Sequence, residues 1–326
     1  MKKIRLLICV LLTFVMIFAA YPIGAAAEAD GESVYIGGFP VGISLDIGGL
    51  LIESVTGVET EYGTAYVDGL EQGDIIKKVN GQSVKTVADM QGLLTGGDVT
   101  IELLRDGDTV IADIRPIVEA YTAMPRLGVK IKEKIYGVGT VTFVRADGTY
   151  TALGHEIRDS DVDFDIPFAG GNIHACKILG IKRGKKGEAG AILASVIPEK
   201  IYGTVTCNNN FGIAGKYSTE LHIEDRIDVA ERSEVKPGAA KIRTTVNGNA
   251  EYFDIEIIKA SKQNGKREKG LVFRVTDERL LELTGGVVRG MSGSPIIQNG
   301  KLVGAVTHVF LNDFTKGYGV YADCLN

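Results

Sequence analysis

The chain has 326 residues, 45% of them apolar, and a formal net charge of −5. That balance argues against a nucleic-acid-binding surface, which requires a clear excess of Lys and Arg. The length suits about two domains, and past the N-terminus no run is long and apolar enough to cross a bilayer.

Residues 1–27 read as an export segment. Lys2, Lys3 and Arg5 precede an apolar run of roughly 15 residues, Leu6 to Ala20, and then the small residues Gly24-Ala25-Ala26-Ala27, the three-part pattern of a secretory signal. The run is shorter than the about 20 residues of a spanning helix, so cleavage is expected over retention as an anchor. Cys9 lies inside this segment. Cys176, Cys207 and Cys324 follow without CxxC spacing, which argues against both a zinc site and a complete disulfide framework. No metal or cofactor is expected.

From Ser33 to Pro116 the informative phrase is Gly69-Leu70-Glu71-Gln72-Gly73-Asp74-Ile75-Ile76-Lys77-Lys78-Val79-Asn80-Gly81. Gly73-Asp74 turns into an apolar strand, and Asn80-Gly81 reverses it. With a helix suggested at Val87 to Leu94 and a strand pair from Val99 to Ile114, residues 33–116 resemble a PDZ domain. Such domains add a peptide C-terminus or an internal strand to a sheet edge and hold the carboxylate on backbone amides. The resemblance implies Val41, Gly42 and Ile43 as that binding loop.

After a junction at Arg115 to Pro125 the chain becomes a series of short β runs. Gly137 to Val144, Thr149 to Leu153, Ala191 to Ile197, Tyr202 to Cys207 and Ala240 to Val246 are separated by Asp-Gly, Asn-Gly and Gly-rich turns. Strands of this length at short intervals indicate an antiparallel sandwich or barrel, and two packed β-barrel halves with a cleft between them are expected. One short helix is expected from Thr276 to Thr284, stopped by Gly285-Gly286. Lys182 to Lys186 and Lys259 to Lys269 read as solvated hairpin tips.

The chemistry concentrates at Gly290-Met291-Ser292-Gly293-Ser294-Pro295. Small residues around a serine let the backbone bend sharply and bring amide N–H groups to a reacting carbonyl. Asn299-Gly300 would close a hairpin behind the turn. A serine hydroxyl needs a base, and histidine, with an ordinary pKa of about 6.5, suits that task. Of His155, His174, His222 and His308, His155 in Gly154-His155 is the candidate base, while His308 reads as a sheet histidine. The run Asp159 to Asp165 could suggest calcium, but it lacks the loop glycine and terminal glutamate of an EF-hand.

Thr151 to Ile157, Gly290 to Ile296 and the tail Gly304-Ala305-Val306-Thr307-His308-Val309-Phe310 resemble the stage IV sporulation protein B family of serine peptidases, as does the order of export segment, PDZ domain and peptidase domain. The resemblance implies a mainly β chain with a trypsin-like double β-barrel over residues 121–326. It also implies a triad of Ser292 as nucleophile, His155 as base and Asp277 as the residue orienting that base, with the amides of Gly290 and Ser292 as the oxyanion hole. Asp159, Asp161, Asp163, Asp165 and Asp254 also remain open for the acidic role. Ser294 stands where related enzymes usually have glycine, Glu156 where family members tend to have a small residue, and Phe314 where proline is usual.

The implied activity is an exported endopeptidase acting in the space between the forespore and mother-cell membranes. It would cleave itself in trans and then a membrane-anchored regulator of an intramembrane protease complex, releasing processing of the late mother-cell sigma factor precursor. Two other classes remain: a catalytically inactive PDZ scaffold, and a general envelope quality-control protease, whose PDZ domain would follow the peptidase.

Overall fold

The computed structural model describes residues 32–159, 166–185, 187–218 and 225–325. The export segment, His222, Asp161, Asp163 and Asp165 lie outside the described residues. Two long strands organise the rest. β2 (Pro40–Val55) and β11 (Val129–Val144) pair antiparallel, from Thr140 opposite Pro40 to Val129 opposite Val55. At about 3.3 Å per residue each spans about 50 Å, far beyond a usual strand, and the pair serves two cores.

At one end Val41, Ile43, Leu45 and Ile47 meet Val141, Tyr150, Ile173 and Val205 in a closed core. There β2 and β11 join β12 (Thr149–Ala152), β15 (Gly212–Tyr217), β14 (Ala191–Asn209) and β13 (Gly171–Lys182), which pairs back onto β2. Closing the sheet on itself leaves no open edge. The expected strands at Ala191 to Ile197 and Tyr202 to Cys207 are one continuous strand, β14.

A second closed barrel follows the same logic. β17 (Gly238–Thr245), β18 (Ala250–Ala260), β19 (Leu271–Val275), β22 (Asp313–Tyr321), β21 (Lys301–Phe310) and β20 (Pro295–Gln298) pair in that order, and β20 returns to β17. Phe253, Phe273, Ile242, Ile296 and Leu302 fill it. The two expected barrel halves are therefore present. β1 (Ser33–Ile36) straps them together: it pairs with β11 and with β16 (Arg226–Val229), β16 pairs in parallel with β21, and Val34 packs into the second core.

At the other end of β2 and β11, Leu50 and Ile52 belong to a third core with Ile76, Val79, Met90, Ile101 and Leu103. It is built from β5 (Ile75–Val79), β7 (Val99–Arg105), β8 (Asp108–Ile114) and α1 (Val87–Leu93). Asn80 and Gly81 have φ of 50° and 77°, the left-handed pair that a tight hairpin requires. Thr86 and Asp89 close α1 with a reciprocal capping box, which satisfies two otherwise orphaned amides.

The structure corrects two expectations. Residues 33–116 are not one unit, because their first strand straps the two barrels and half of the second belongs to the first barrel. Val41, Gly42 and Ile43 do not form a binding loop: they sit in mid-strand, paired to Gly137–Gly139 on one edge and to Ile173–Ala175 on the other. Val41 and Ile43 are fully buried, so no sheet edge is open to a peptide there. Gly42 is glycine because a Cβ would stand 2.5 Å from the Val196 methyls.

Candidate active site

The nucleophile turn lies between α2 (Glu278–Thr284) and β20. Gly290 and Gly293 have φ of 96° and 93°, a backbone region other residues rarely enter. A Cβ on Gly293 would lie 2.0 Å from the Thr140 carbonyl. Asn299 and Gly300, at φ 52° and 77°, make the tight hairpin behind the turn. Ser294, unusual at its position, is fully buried and donates its hydroxyl to Thr244 Oγ1 at 2.9 Å, so its polarity is satisfied.

The N–H of Met291 donates to the Val288 carbonyl, that of Gly293 to Val306 and that of Ser294 to Met291. Among the described residues no backbone carbonyl accepts from Gly290 or Ser292. Two unpaired amides in one tight turn are what an oxyanion hole needs.

His155 is presented by a second strained turn. Leu153 has φ 74°, and the Gly154 N–H donates to the Ala152 carbonyl at 3.0 Å, a three-residue turn of the rare positive-φ type. Gly139 makes room for it, since a Cβ there would come 1.9 Å from Leu153 Cδ2. The Glu156 carbonyl lies 2.9 Å from His155 Nδ1. A carbonyl only accepts, so Nδ1 carries the proton and Nε2 is the basic nitrogen.

The two turns meet across the cleft. The Thr140 N–H donates to the Ser292 carbonyl, and the Thr140 carbonyl accepts from the Leu153 N–H. Gly154 packs at Thr307, whose carbonyl accepts the Ser292 hydroxyl at 2.8 Å. In this state the hydroxyl is turned to Thr307, and among the described residues no hydrogen bond joins it to His155.

Asp277 is placed otherwise than expected. It is the N-cap of α2 and accepts from the N–H groups of Arg279 and Leu280, while Arg279 grips both carboxylate oxygens at 3.2 and 3.0 Å. Burial pushes its carboxyl up, but the Arg279 ion pair and the surrounding amides outweigh that and hold it below the usual carboxylate range. Among the described residues no hydrogen bond or ion pair joins Asp277 to His155. Asp254 pairs with Lys241, and Asp159 with Lys132. The orienting contact of His155 is the Glu156 carbonyl. The Glu156 carboxylate itself pairs with Arg158.

Other residues enter the site without having been singled out as site residues. The His308 ring lies 5.0 Å from that of His155, tilted by 38°. β21 gains a residue relative to β22 between Val306 and Val309, and such a bulge re-aims side chains. Burial, with His155 and Lys269 nearby, pushes the His308 pKa down to about 4. Asn208 holds the loop after His155 by bonds to both the N–H and the carbonyl of Ile157. His174 is a satisfied core histidine, bonded to Ser44 and the Pro198 carbonyl. Among the described residues no cluster of metal-ligating side chains occurs, and Cys176, Cys207 and Cys324 are free thiols.

A groove of about 350 Å³ opens at the far end of β11, lined among others by Val87, Met90 and Gln91 of α1 and by Arg126, Leu127 and Val129. There β11 is paired through its other edge to β2. Gln91 donates to the Pro125 carbonyl and accepts from Arg126, tying helix to strand at one end of the groove.

Comparison with known proteins supplies the family. The family model described as SpoIVB peptidase S55 matches residues 123–325. Comparison with curated proteins returned no match. Among solved structures, the active form of the Rv3671c protease from M. tuberculosis is similar at 16% identity, over 58% of this chain and 70% of that one, with a TM-score of 0.34. The HtrA-type protease AlgW with a tripeptide is similar at 9% identity, over 58% of this chain and 54% of that one, with a TM-score of 0.35.

Proposed function

This chain belongs to the SpoIVB peptidase S55 family, and from that premise we propose that it is the exported serine endopeptidase of a sporulation signal. It cleaves itself in trans and then a membrane-anchored regulator, releasing processing of the late mother-cell sigma factor precursor. That the chain is a serine endopeptidase follows from the family; the signalling role, the compartment between the two membranes and the substrate are the proposal. The observation that carries the mechanism is the Ser292 turn, with two unpaired amides beside a histidine whose Nε2 is free to act as base.

In this mechanism the Ser292 hydroxyl leaves the Thr307 carbonyl and is deprotonated by His155 Nε2 as it attacks the substrate carbonyl. The amides of Gly290 and Ser292 receive the negative oxygen. The Glu156 carbonyl holds the His155 Nδ1 proton while Nε2 passes its own to the leaving amine. Asp277 serves α2, and its part in orienting His155 is left to the backbone.

The signalling role is tested in a spore-forming host whose copy of this chain is replaced. Wild type should restore maturation of the sigma factor precursor and Ser292→Ala should not; maturation with Ser292→Ala would remove the role.

The groove between α1 and the start of β11 suits an extended peptide, and we read it as the peptide seat that a PDZ-like unit would carry, displaced from Val41–Ile43. Among the described residues β11 near Val129 pairs only with β2, and Val87 and Met90 of α1 line the groove beside it, which supports this reading. Val87 is partly exposed on the groove. Val87→Glu should weaken binding of fluorescent peptides with apolar C-termini, measured by anisotropy, and unchanged binding would place the seat elsewhere.

A further inference from the structure

The five peptide carbonyls that shape the nucleophile turn, from Arg289 to Gly293, are all accounted for. The Arg289 carbonyl accepts from the Ile192 N–H, that of Met291 from Ser294 and that of Ser292 from Thr140. The remaining two are held by side chains: Thr140 Oγ1 donates to the Gly290 carbonyl at 2.8 Å, and Thr142 Oγ1 to the Gly293 carbonyl at 2.8 Å. Thr140 and Thr142 are 2% and 0% exposed. Two residues apart on β11, which is irregular between Val141 and Phe143, both reach from the first barrel into the turn of the second.

We propose that Thr140 and Thr142 are positioning residues whose hydroxyls keep the oxyanion hole open. The inference rests on the peptidase reading of Ser292. A carbonyl and the following N–H share one planar unit, so Thr140, through the Gly290 carbonyl, fixes the Met291 unit that lies between the two donors, and Thr142, through the Gly293 carbonyl, fixes the Ser294 N–H, whose bond to the Met291 carbonyl fixes the Ser292 N–H in turn. With all five carbonyls drawn to partners in the chain, the amides of Gly290 and Ser292 are the donors left for a substrate oxyanion. Gly290 and Gly293 are also the residues with the widest backbone freedom in the turn, and these are the two whose carbonyls depend on the threonines. Releasing the Gly290 carbonyl lets its peptide unit rotate, which misaligns the neighbouring donors without removing any of them.

Thr140 does more than Thr142. Its N–H holds the Ser292 carbonyl and its own carbonyl takes the Leu153 N–H at 3.2 Å, so one residue bonds to the turns of both the nucleophile and the base. The backbone bonds are open to any residue; the hydroxyl bond to Gly290 is the part that needs threonine or serine.

The test compares Thr140→Val, Thr140→Ser, Thr142→Val and wild type by the rate of fluorophosphonate labelling at Ser292 and by kcat and KM on a quenched peptide. Removing an oxyanion donor outright costs about 10²–10³ in kcat, and loosening the donors should cost somewhat less. Thr140→Val is therefore expected to lose about 10- to 100-fold in kcat and in labelling rate with KM unchanged, and Thr140→Ser to recover most of it. Thr142→Val should show a smaller loss of the same kind, which keeps the claim testable if Thr140→Val does not fold. Labelling of Thr140→Val at the wild-type rate, or a serine variant as poor as the valine one, overturns the proposal. A wild type that is not labelled at Ser292 would instead overturn the peptidase reading beneath it.

Discussion

The two ends of β11 pair with the same strand, β2, and are put to opposite uses. Near Val129 the strand faces a groove and is bordered by a helix. Near Thr140 it is buried in a closed barrel, and its side chains and backbone grip the turns of His155 and Ser292. The first arrangement leaves room for a ligand; the second removes freedom from the groups that do chemistry. A continuous pair of strands lets one scaffold carry both, and its rigid half is where geometry must be held most closely.

The sharpest way to break this contrast is at the catalytic end. Ser292→Ala and His155→Ala should each lower turnover by a factor on the order of 10⁶, since the two groups act as a unit. A loss of only a few-fold, measured on a quenched peptide, would remove the assignment.

Next comes the packing around the turn. Gly293→Ala places a methyl 2.0 Å from the Thr140 carbonyl at a φ of 93°, and an unfolding cost above about 4 kcal/mol is expected. Gly81→Ala, at φ 77° with nothing within 4 Å, should cost only about 1–2 kcal/mol of backbone strain. Denaturant titration of both separates crowding from conformation; equal costs would contradict the claim that the turn is clamped.

Asp277 offers a third contrast. Asp277→Ala removes the cap of α2 and should cost about 1–2 kcal/mol of stability, whereas Asp277→Asn keeps a capping oxygen and should leave kcat within a few-fold. A drop of about 10⁴ in the asparagine variant, the loss seen when a true triad carboxylate is replaced, would show that Asp277 orients His155 during turnover. Its lowered carboxyl pKa also has a sign. The unfolded carboxyl keeps its ordinary value, so this contribution is present above that value and disappears as the pH falls through the lower, folded one.

The last contrast concerns His308. Its folded pKa of about 4 lies below the ordinary 6.5, so between those values the unfolded chain binds a proton that the folded chain does not. Stability should therefore fall as the pH drops from 6.5 toward 4. Melting temperatures of wild type and His308→Phe across that window should diverge, with the phenylalanine variant less sensitive; parallel curves would show that His308 is not held neutral.

These contrasts also mark what the sequence could reveal. Gly290 to Pro295 and Gly154-His155 were legible because their chemistry is local: glycines where the backbone bends, a hydroxyl, an imidazole. Both barrels could be read as a class from the short β runs and Asn-Gly turns. The domain boundary could not, because β2 runs from one core into the next with only Gly48-Gly49 between Ile47 and Leu50, and nothing at Pro40 to Ile43 distinguishes a loop from mid-strand. Thr140 and Thr142 gave no signal either, since threonine in a strand is ordinary and their partners lie about 150 residues away, at separations of 150 and 151. Asp277 differs again: its place in a triad comes from the resemblance alone, while Asp-Glu ahead of a short helix is a local capping pattern, and in the structure the carboxylate caps α2.

The most direct test of the account uses the chain as its own substrate. Residues 28–326, as wild type and as Ser292→Ala, are held at neutral pH and followed by intact mass, with fluorophosphonate labelling in parallel. The account predicts that wild type is labelled at Ser292, trims itself and trims the Ser292→Ala chain added to it, while that variant alone stays intact. Wild type that is neither labelled nor trimmed would contradict it.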